Sequence, residues 1–296
     1  MQNNNLNNTE EGYDYGFVDV SLLINRIFYA QGANSNPTVE SVFKAGLKAF
    51  KRINLEQKIQ KTFYCFDAEN NRRKIIYPEY KANRGPKDPV LEEALSIMFD
   101  FLNNGIGLTC LKKDGYEADD LIASLQSQIG GGKKTVILSA DKDLLQLLDD
   151  NCVMMIGVGA TKYDLMTKEL VQQKYGIDPK FISTYLALNG DTADNFPGVD
   201  GVGPKTAVKL INEFGDYNSI IDNIDNISSK SVRKKFLAME DKYLPQKLAD
   251  LVYDIDLRSA YSSTKNENIK NHYMTTYNLG YAASNNQKKN TARYRL

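Results

Sequence analysis

"KTVILSADKDLLQLL", residues 134–148, decides the fold class. Its first half is a short run of β-branched and apolar residues, the composition of a strand. After Ser139 and Ala140 the pattern restarts as a short helix opened by Asp141. A strand that hands over to a helix through an aspartate is the repeating step of a parallel α/β fold.

The same step recurs upstream. "GFVDV" (16–20) leads into the amphipathic "SLLINRIFYA" (21–30), and "KTFYCFD" (61–67) is a second strand. "IGLTCL" (106–111) is a strand between the helical "LEEALSIMFDFLNN" (91–104) and "EADDLIASLQSQI" (117–129). "CVMMI" (152–156) is a further strand, and "TVESVFKAGLKAFKRI" (38–53) is a helix with Thr38 as N-cap. This alternation predicts an α/β fold: a central, mostly parallel sheet flanked by helices. Beyond it the pattern is helical only, as in "TKELVQQKYG" (167–176) and "PKFISTYLALNG" (179–190). The expected organisation is a disordered lead-in over 1–15, an α/β core over 16–165, a helical part over 166–255 and a tail over 256–296. Inside the core, 68–90 ("AENNRRKIIYPEYKANRGPKDPV") is a long, basic connection broken by Pro78, Pro86 and Pro89. Connections of that length usually carry function.

Composition removes several classes of chemistry. With 42% hydrophobic and 25% charged residues the chain has an ordinary globular balance. No apolar run nears the ~20 residues of a membrane span. The opening "MQNNNLNNTEEGYDYG" lacks the regions of a signal peptide, so a cytoplasmic location is expected. Cys65, Cys110 and Cys152 lie in apolar runs without a CxxC, which predicts buried, reduced thiols and no zinc ribbon. The single histidine, His272, leaves no room for a Ser-His-Asp triad or a histidine-rich metal site, and is expected on the surface. Catalysis therefore falls to carboxylates, lysines, arginines or tyrosines.

The carboxylates are placed for it. Asp19 and Asp67 end strand-like runs, and Asp141 follows one. In an open parallel sheet, sites form outside the carboxyl ends of the strands. Glu117, Asp119 and Asp120 open a helix, where the alternative reading is simple complementarity with the helix dipole. Asp143 follows Asp141 by two residues, and Asp191 and Asp194 lie in "NGDTADN". Nine acids gathered without cations would repel and raise one another's pKa values. An all-oxygen set suits Mg²⁺ or Mn²⁺, and that number of acids suits two ions. Two ions can serve both the attacking and the leaving oxygen of a phosphodiester. The formal net charge is zero, but with these nine acids set aside 37 basic residues face 28 acidic ones. Such a surplus can hold a polyanion.

"NGDTADNFPGVDGVGPKTAVKL" (189–210) adds a second element. Gly198, Gly201 and Gly203 precede a helix that starts near Pro204 and carries Lys205, Thr206 and Lys209. Glycine turns ahead of a helix N-terminus leave backbone N–H groups open to phosphate. The pattern is that of a helix-hairpin-helix over 190–215, a sequence-independent DNA-binding element; the alternative is a plain packing corner.

Taken together, "FVDVSLLINR", "FDAENNRRKIIYPEYKANRG", "GYEADDLIASL", "SADKDLLQLL" and the 189–215 segment resemble the structure-specific 5′ nucleases. These are the N-terminal nuclease domain of bacterial DNA polymerase I and the stand-alone bacteriophage flap endonucleases. The resemblance runs from about Gly16 to Leu251. It implies a PIN-like core and a divalent-metal 5′-3′ exonuclease and flap endonuclease using two Mg²⁺ or Mn²⁺ ions and leaving 5′-phosphates. It implies a first metal group of Asp19, Asp67, Glu117 and Asp119 with Asp120 close by, and a second of Asp141, Asp143, Asp191 and Asp194. Lys81 and Arg84 become catalytic residues at the base of a helical arch, Lys81 neutralising the scissile phosphate. Tyr80 becomes a base-stacking residue, and Arg26, Arg72 and Arg73 become DNA contacts. The hairpin would grip duplex DNA, with a K⁺ ion in its turn. Implied partners are branched or nicked DNA and RNA–DNA junctions with 5′ single strands, met by a monomer in a bacterial or phage-infected cell, together with replication proteins. Val20 replaces the family's usual glycine, and Leu186 replaces an often basic residue, removing one phosphate contact. A PIN-like ribonuclease and a non-catalytic junction-binding protein are the alternative readings.

Overall fold

The computed structural model describes residues 12–33, 35–158, 162–261 and 265–279. Most of the lead-in, residues 1–11, and the basic end of the tail, 280–296, lie outside the described residues. Among the described residues six strands form one sheet: β1 (Tyr15–Asp19), β2 (Lys61–Cys65), β3 (Thr109–Leu111), β4 (Thr135–Leu138), β5 (Cys152–Val158) and β6 (Lys162–Met166), in the order β3-β2-β1-β4-β5-β6. β1 to β5 run parallel, and β6 returns antiparallel to β5 as a hairpin.

Side chains alternate across this sheet because successive residues of a strand point to opposite faces. Phe17, Phe63 and Ile137 face one core; Val18, Tyr64 and Val136 face the other. The second core is covered by α1 (Val20–Gly32) and α2 (Val39–Glu56), whose Thr38 cap is as the sequence predicts, and, beyond the short α3 (Arg72–Ile76), by α4 (Pro89–Asp100). The first core takes α5 (Ala118–Leu125) and nearly the whole helical part. That part comprises α6 (Lys168–Tyr175), α7 (Ile182–Asn189), α8 (Pro204–Phe214), α9 (Tyr217–Asp222), α10 (Lys230–Leu237), α11 (Leu244–Ala249) and α12 (Leu257–Ala260). A further helix, α13 (Glu267–Thr276), crosses back to the second core, where Tyr277 and Tyr273 meet Phe43 and Phe101 at ring separations of 5.2 and 6.0 Å. It carries His272 on its exposed side. Among the described residues no helix is long and apolar enough to cross a membrane. The three cysteines are buried and free.

The sheet matters for function because its strand order reverses between β1 and β4. Chains leaving those two strands turn to opposite sides and open a crevice at the carboxyl ends. Asp19 ends β1, and Ser139 follows β4, at the mouth of that crevice. Three local details differ from the sequence reading. The edge strand β6 is additional. Residues Lys142–Leu147 form a 3-10 turn, not an α-helix, with Asp141 as N-cap. The helices of 91–104 and 117–129 each finish in a π turn, at Phe101–Gly105 and Gln126–Gly130.

Candidate active site

Asp19 does two jobs at the end of β1. One carboxylate oxygen caps α1 by accepting the Leu22 N–H at 2.9 Å, and the other accepts the Ser139 hydroxyl at 2.9 Å. Ser139 also accepts the Asp141 N–H at 3.1 Å, so one hydroxyl links the ends of β1 and β4. Asp67 accepts the Ala118 N–H at 2.9 Å, which ties the end of β2 to the start of α5. Asp141 caps the 3-10 turn through the Asp143 N–H at 3.0 Å. Caps of this kind satisfy N–H groups that a helix leaves open.

The floor of the crevice is acidic and short of cations. Burial, then Asp67 and Asp141, push the Asp19 carboxyl up to about 8. Burial, and then the neighbouring acids, drive Asp119 and Asp143 well above the usual carboxylate range. Asp119 Oδ1 and Asp143 Oδ1 are buried and accept no hydrogen bond. A buried carboxylate oxygen without a donor is costly, and a hard cation is the partner that would relieve it. Among the described residues no three acids, cysteines or histidines converge closely enough to grip an ion unaided. The acids are nonetheless close enough to raise one another's pKa. The donor-less oxygens of Asp119 and Asp143, in an all-oxygen set of acids, are the chemistry that suits Mg²⁺, which keeps several of its own waters.

The rim is built differently. Lys81 pairs with Glu117 and lies 3.4 Å from Asp194; Arg84 also pairs with Asp194. Burial alone would raise Glu117, but Lys81 and Arg73 overcome it and hold the carboxyl at about 2. Lys142 pairs with Asp191 at 2.8 Å. Lys81 sits in the left-handed region with φ of 56°, and Asn195 opposite it with φ of 52°. Asparagine adopts such angles readily, whereas a lysine holds one only where its surroundings enforce it. Here the 79–84 turn and the 191–196 turn brace each other. Lys81 N–H donates to Asp194 O at 2.8 Å, Asn195 Nδ2 to Glu79 O at 2.7 Å and Asn83 Nδ2 to Thr192 O at 2.9 Å.

Three expectations need correction. Asp120 is fully buried, and both its oxygens take a bidentate pair of 2.8 Å bonds from Arg73, so it is an internal counter-charge and not a metal ligand. Arg73 is 2% exposed and cannot touch DNA. Tyr80, also 2% exposed, is unavailable for base stacking: its ring stacks on Phe196, and its hydroxyl faces Glu117 and Asp194 at 3.0 Å each. The remaining cationic candidates lie outside. Arg26 is exposed on α1 with one bond to Gly157 O, Arg72 is half-buried on α3, and Arg84 is exposed. Val20 and Leu186 are core residues.

In the segment expected to form the hairpin, α7 and α8 flank the glycine run. Gly198 packs against the backbone of Gly190; a Cβ there would lie 2.3 Å from Gly190 N. Gly201, with φ of 75°, and Gly203 border open space, and Lys205 and Lys209 are exposed one turn apart, beside the half-buried Thr206.

A family model for the 5′-3′ exonuclease N-terminal resolvase-like domain matches residues 15–176, and one for the 5′-3′ exonuclease C-terminal SAM fold matches 177–272. This chain belongs to the 5′-3′ exonuclease family. The 5′-3′ exonuclease of Buchnera aphidicola subsp. Acyrthosiphon pisum is 36% identical over 81% of this chain and 87% of its own length. DNA polymerase I of Caldicellulosiruptor bescii is 41% identical over 62% of this chain, which spans only 22% of the polymerase. The T5 D15 protein, co-crystallized with metal ions, shares the fold: TM-score 0.68 at 20% identity, over 90% of this chain and 98% of that one.

Sequence reasoning missed several site residues of this 5′-3′ exonuclease-family chain. Lys142 stands between Asp141 and Asp143, and that "DKD" run was the available signal. Ser139, which links Asp19 to Asp141, and Ser21, which accepts the Asp67 N–H at 2.9 Å, carried no signal beyond their places next to aspartate-bearing strand ends.

Proposed function

We propose that this exonuclease-family chain is a two-metal 5′ nuclease that hydrolyses phosphodiesters at 5′ flaps, nicks and RNA–DNA primer junctions and leaves 5′-phosphates. The observation that carries this reading is the pair of donor-less buried oxygens, Asp119 Oδ1 and Asp143 Oδ1, in an acid-lined crevice. Asp19, Asp67, Glu117 and Asp119 would hold one ion, and Asp141, Asp143, Asp191 and Asp194 the other, Mg²⁺ or Mn²⁺. Divalent ions bound there supply an activated water and charge neutralisation at the leaving oxygen.

The chain's own residues do the rest. Lys81 and Arg84 exchange their carboxylate partners for the scissile phosphate, so the strand is drawn in by groups already at the rim. Arg26 and Arg72 hold flanking phosphates, which position the strand without reading its bases. Gly201, Gly203, Lys205, Thr206 and Lys209 grip the duplex through its backbone, with a K⁺ ion in the turn. The substrate is thereby recognised by shape and charge.

The test is cleavage of a 5′-labelled flap DNA with Mg²⁺ against an EDTA control. Short labelled products ending near the junction, absent with EDTA, are expected. Tight binding without cleavage would replace this reading with that of a non-catalytic junction binder.

A further inference from the structure

Arg73 comes from the basic segment that resembles a DNA contact, yet all its contacts are internal. We propose that Arg73 is a positioning residue: it holds Glu117 in place when Lys81 turns to substrate, and it ties that carboxylate to the C-terminal helical part. The inference rests on the reading of Glu117 as a metal ligand.

Every donor of the guanidinium is used. Nε donates to Leu248 O at 3.1 Å. Nη1 donates to Glu117 Oε2 at 3.1 Å and to Asp120 Oδ2 at 2.8 Å. Nη2 donates to Asp120 Oδ1 and to Asp250 O, both at 2.8 Å. A planar fork with this many fixed partners sets orientation in a way a lysine cannot. Asp120 completes the device. Its oxygens also accept the Val252 N–H at 3.2 Å and the Glu117 N–H at 3.3 Å, so one buried carboxylate locks both Arg73 and the Glu117 backbone.

Glu117 has two kinds of partner. Lys81 bonds Oε1, is placed at the rim, and retains 14% of its side-chain surface. Arg73, with Tyr80, bonds Oε2 from inside. Loss of the Lys81 bond to a phosphate therefore leaves the inner bonds to keep the carboxylate aimed at the crevice. The bonds to Leu248 and Asp250 extend the support to the end of α11. Gln246 on α11 donates to Ser183 Oγ of α7 at 3.2 Å, and α7 leads into the Asp191 turn. Arg73 thus lies on a continuous set of contacts between the two acid groups.

Partners behind a metal ligand typically cost about 10–100-fold in metal affinity when removed. Arg73→Met alone would strand Asp120, so the test uses the double variant Arg73→Met/Asp120→Leu, because apolar replacement of a whole buried pair is often tolerated. Mn²⁺ binding by electron paramagnetic resonance is compared for the parent, the double variant and Glu117→Gln, with thermal melts to check the fold and a salt series of flap-DNA binding. A cooperatively melting double variant with Mn²⁺ affinity down about 10–100-fold and an unchanged salt slope is expected. Parental Mn²⁺ affinity in the double variant, with Glu117→Gln weakened, overturns the positioning role. A salt slope shallower by about 0.9 overturns it in favour of a phosphate contact. Unchanged affinity in Glu117→Gln overturns the metal reading of Glu117 itself. If the double variant does not melt cooperatively, Arg73→Lys takes its place: it keeps the charge and loses the fork. Weakened Mn²⁺ binding in that variant supports the role and parental binding overturns it.

Discussion

On the rim of the crevice, Glu117 and Asp194 share Lys81, with Arg73 behind one and Arg84 beside the other, and Glu117 is held at a pKa of about 2. On the floor, Asp19, Asp119 and Asp143 have no lysine or arginine paired with them among the described residues, and all three are pushed upward, Asp19 to about 8. These are the same chemical group at nearly equal burial. The difference is the counter-charge, which lysine and arginine supply on the rim and no paired cation supplies on the floor among the described residues.

Removing one floor acid should break the comparison most severely. Asp143→Asn is expected to lower flap cleavage by ~1,000-fold or more, since ion-mediated charge stabilisation is worth several kcal/mol. Its DNA affinity should stay at the parental level in a gel-shift assay. Next comes the rim. Lys81→Ala should lower single-turnover cleavage by about 10²-fold, the usual cost of one donor to developing charge. It should also weaken inhibition by excess salt, because one phosphate contact is gone.

The pH dependence of stability separates the two regions further. Floor acids with raised pKa keep protons in the folded chain that the unfolded chain has released. Stability of the EDTA-treated protein should therefore fall as pH rises from about 5 towards 8, where Asp19 ionises. Glu117 acts in the opposite sense: its contribution is present above the ordinary glutamate value of 4.5 and is lost as pH falls towards 2. Melts should show a drop on the order of 10 °C across the upper window, at about 1.4 kcal/mol per pH unit for one carboxyl and about 2–4 °C per kcal/mol. Mg²⁺ should flatten it. A pH-independent melting temperature in EDTA would remove the floor's special status. The smallest effect belongs to the hairpin. Lys205→Ala/Lys209→Ala should make the salt slope of duplex binding shallower by about 0.9 per lysine and leave cleavage of saturating flap DNA unchanged.

Much of this was legible in the sequence, for identifiable reasons. Strands buried on both faces read as plain apolar runs, so β1, β2, β4 and β5 stood out, and the aspartates at their ends marked the crevice. β6 was missed although "KYDLM" alternates polar Lys162 and Asp164 with apolar Tyr163 and Leu165, because four alternating residues are the shortest run that signals a strand. The helix start at 117–120 was visible, but the roles of its acids were not. Adjacent residues on an α-helix point about 100° apart. That turn sends Asp119 into the crevice and Asp120 back to Arg73. Nothing in "EADD" says which is which; the answer depends on where α3 packs. For the same reason Arg73 and Tyr80 read as DNA contacts: a basic, aromatic segment looks alike whether its side chains face outward or inward.

The most direct test of the contrast is Mn²⁺ binding at pH 7.5, followed by electron paramagnetic resonance, in the parent, Asp119→Asn and Asp143→Asn. Saturable binding with proton release is expected in the parent, and affinity at least ~10-fold weaker in each variant. Equal binding by all three proteins would contradict the contrast.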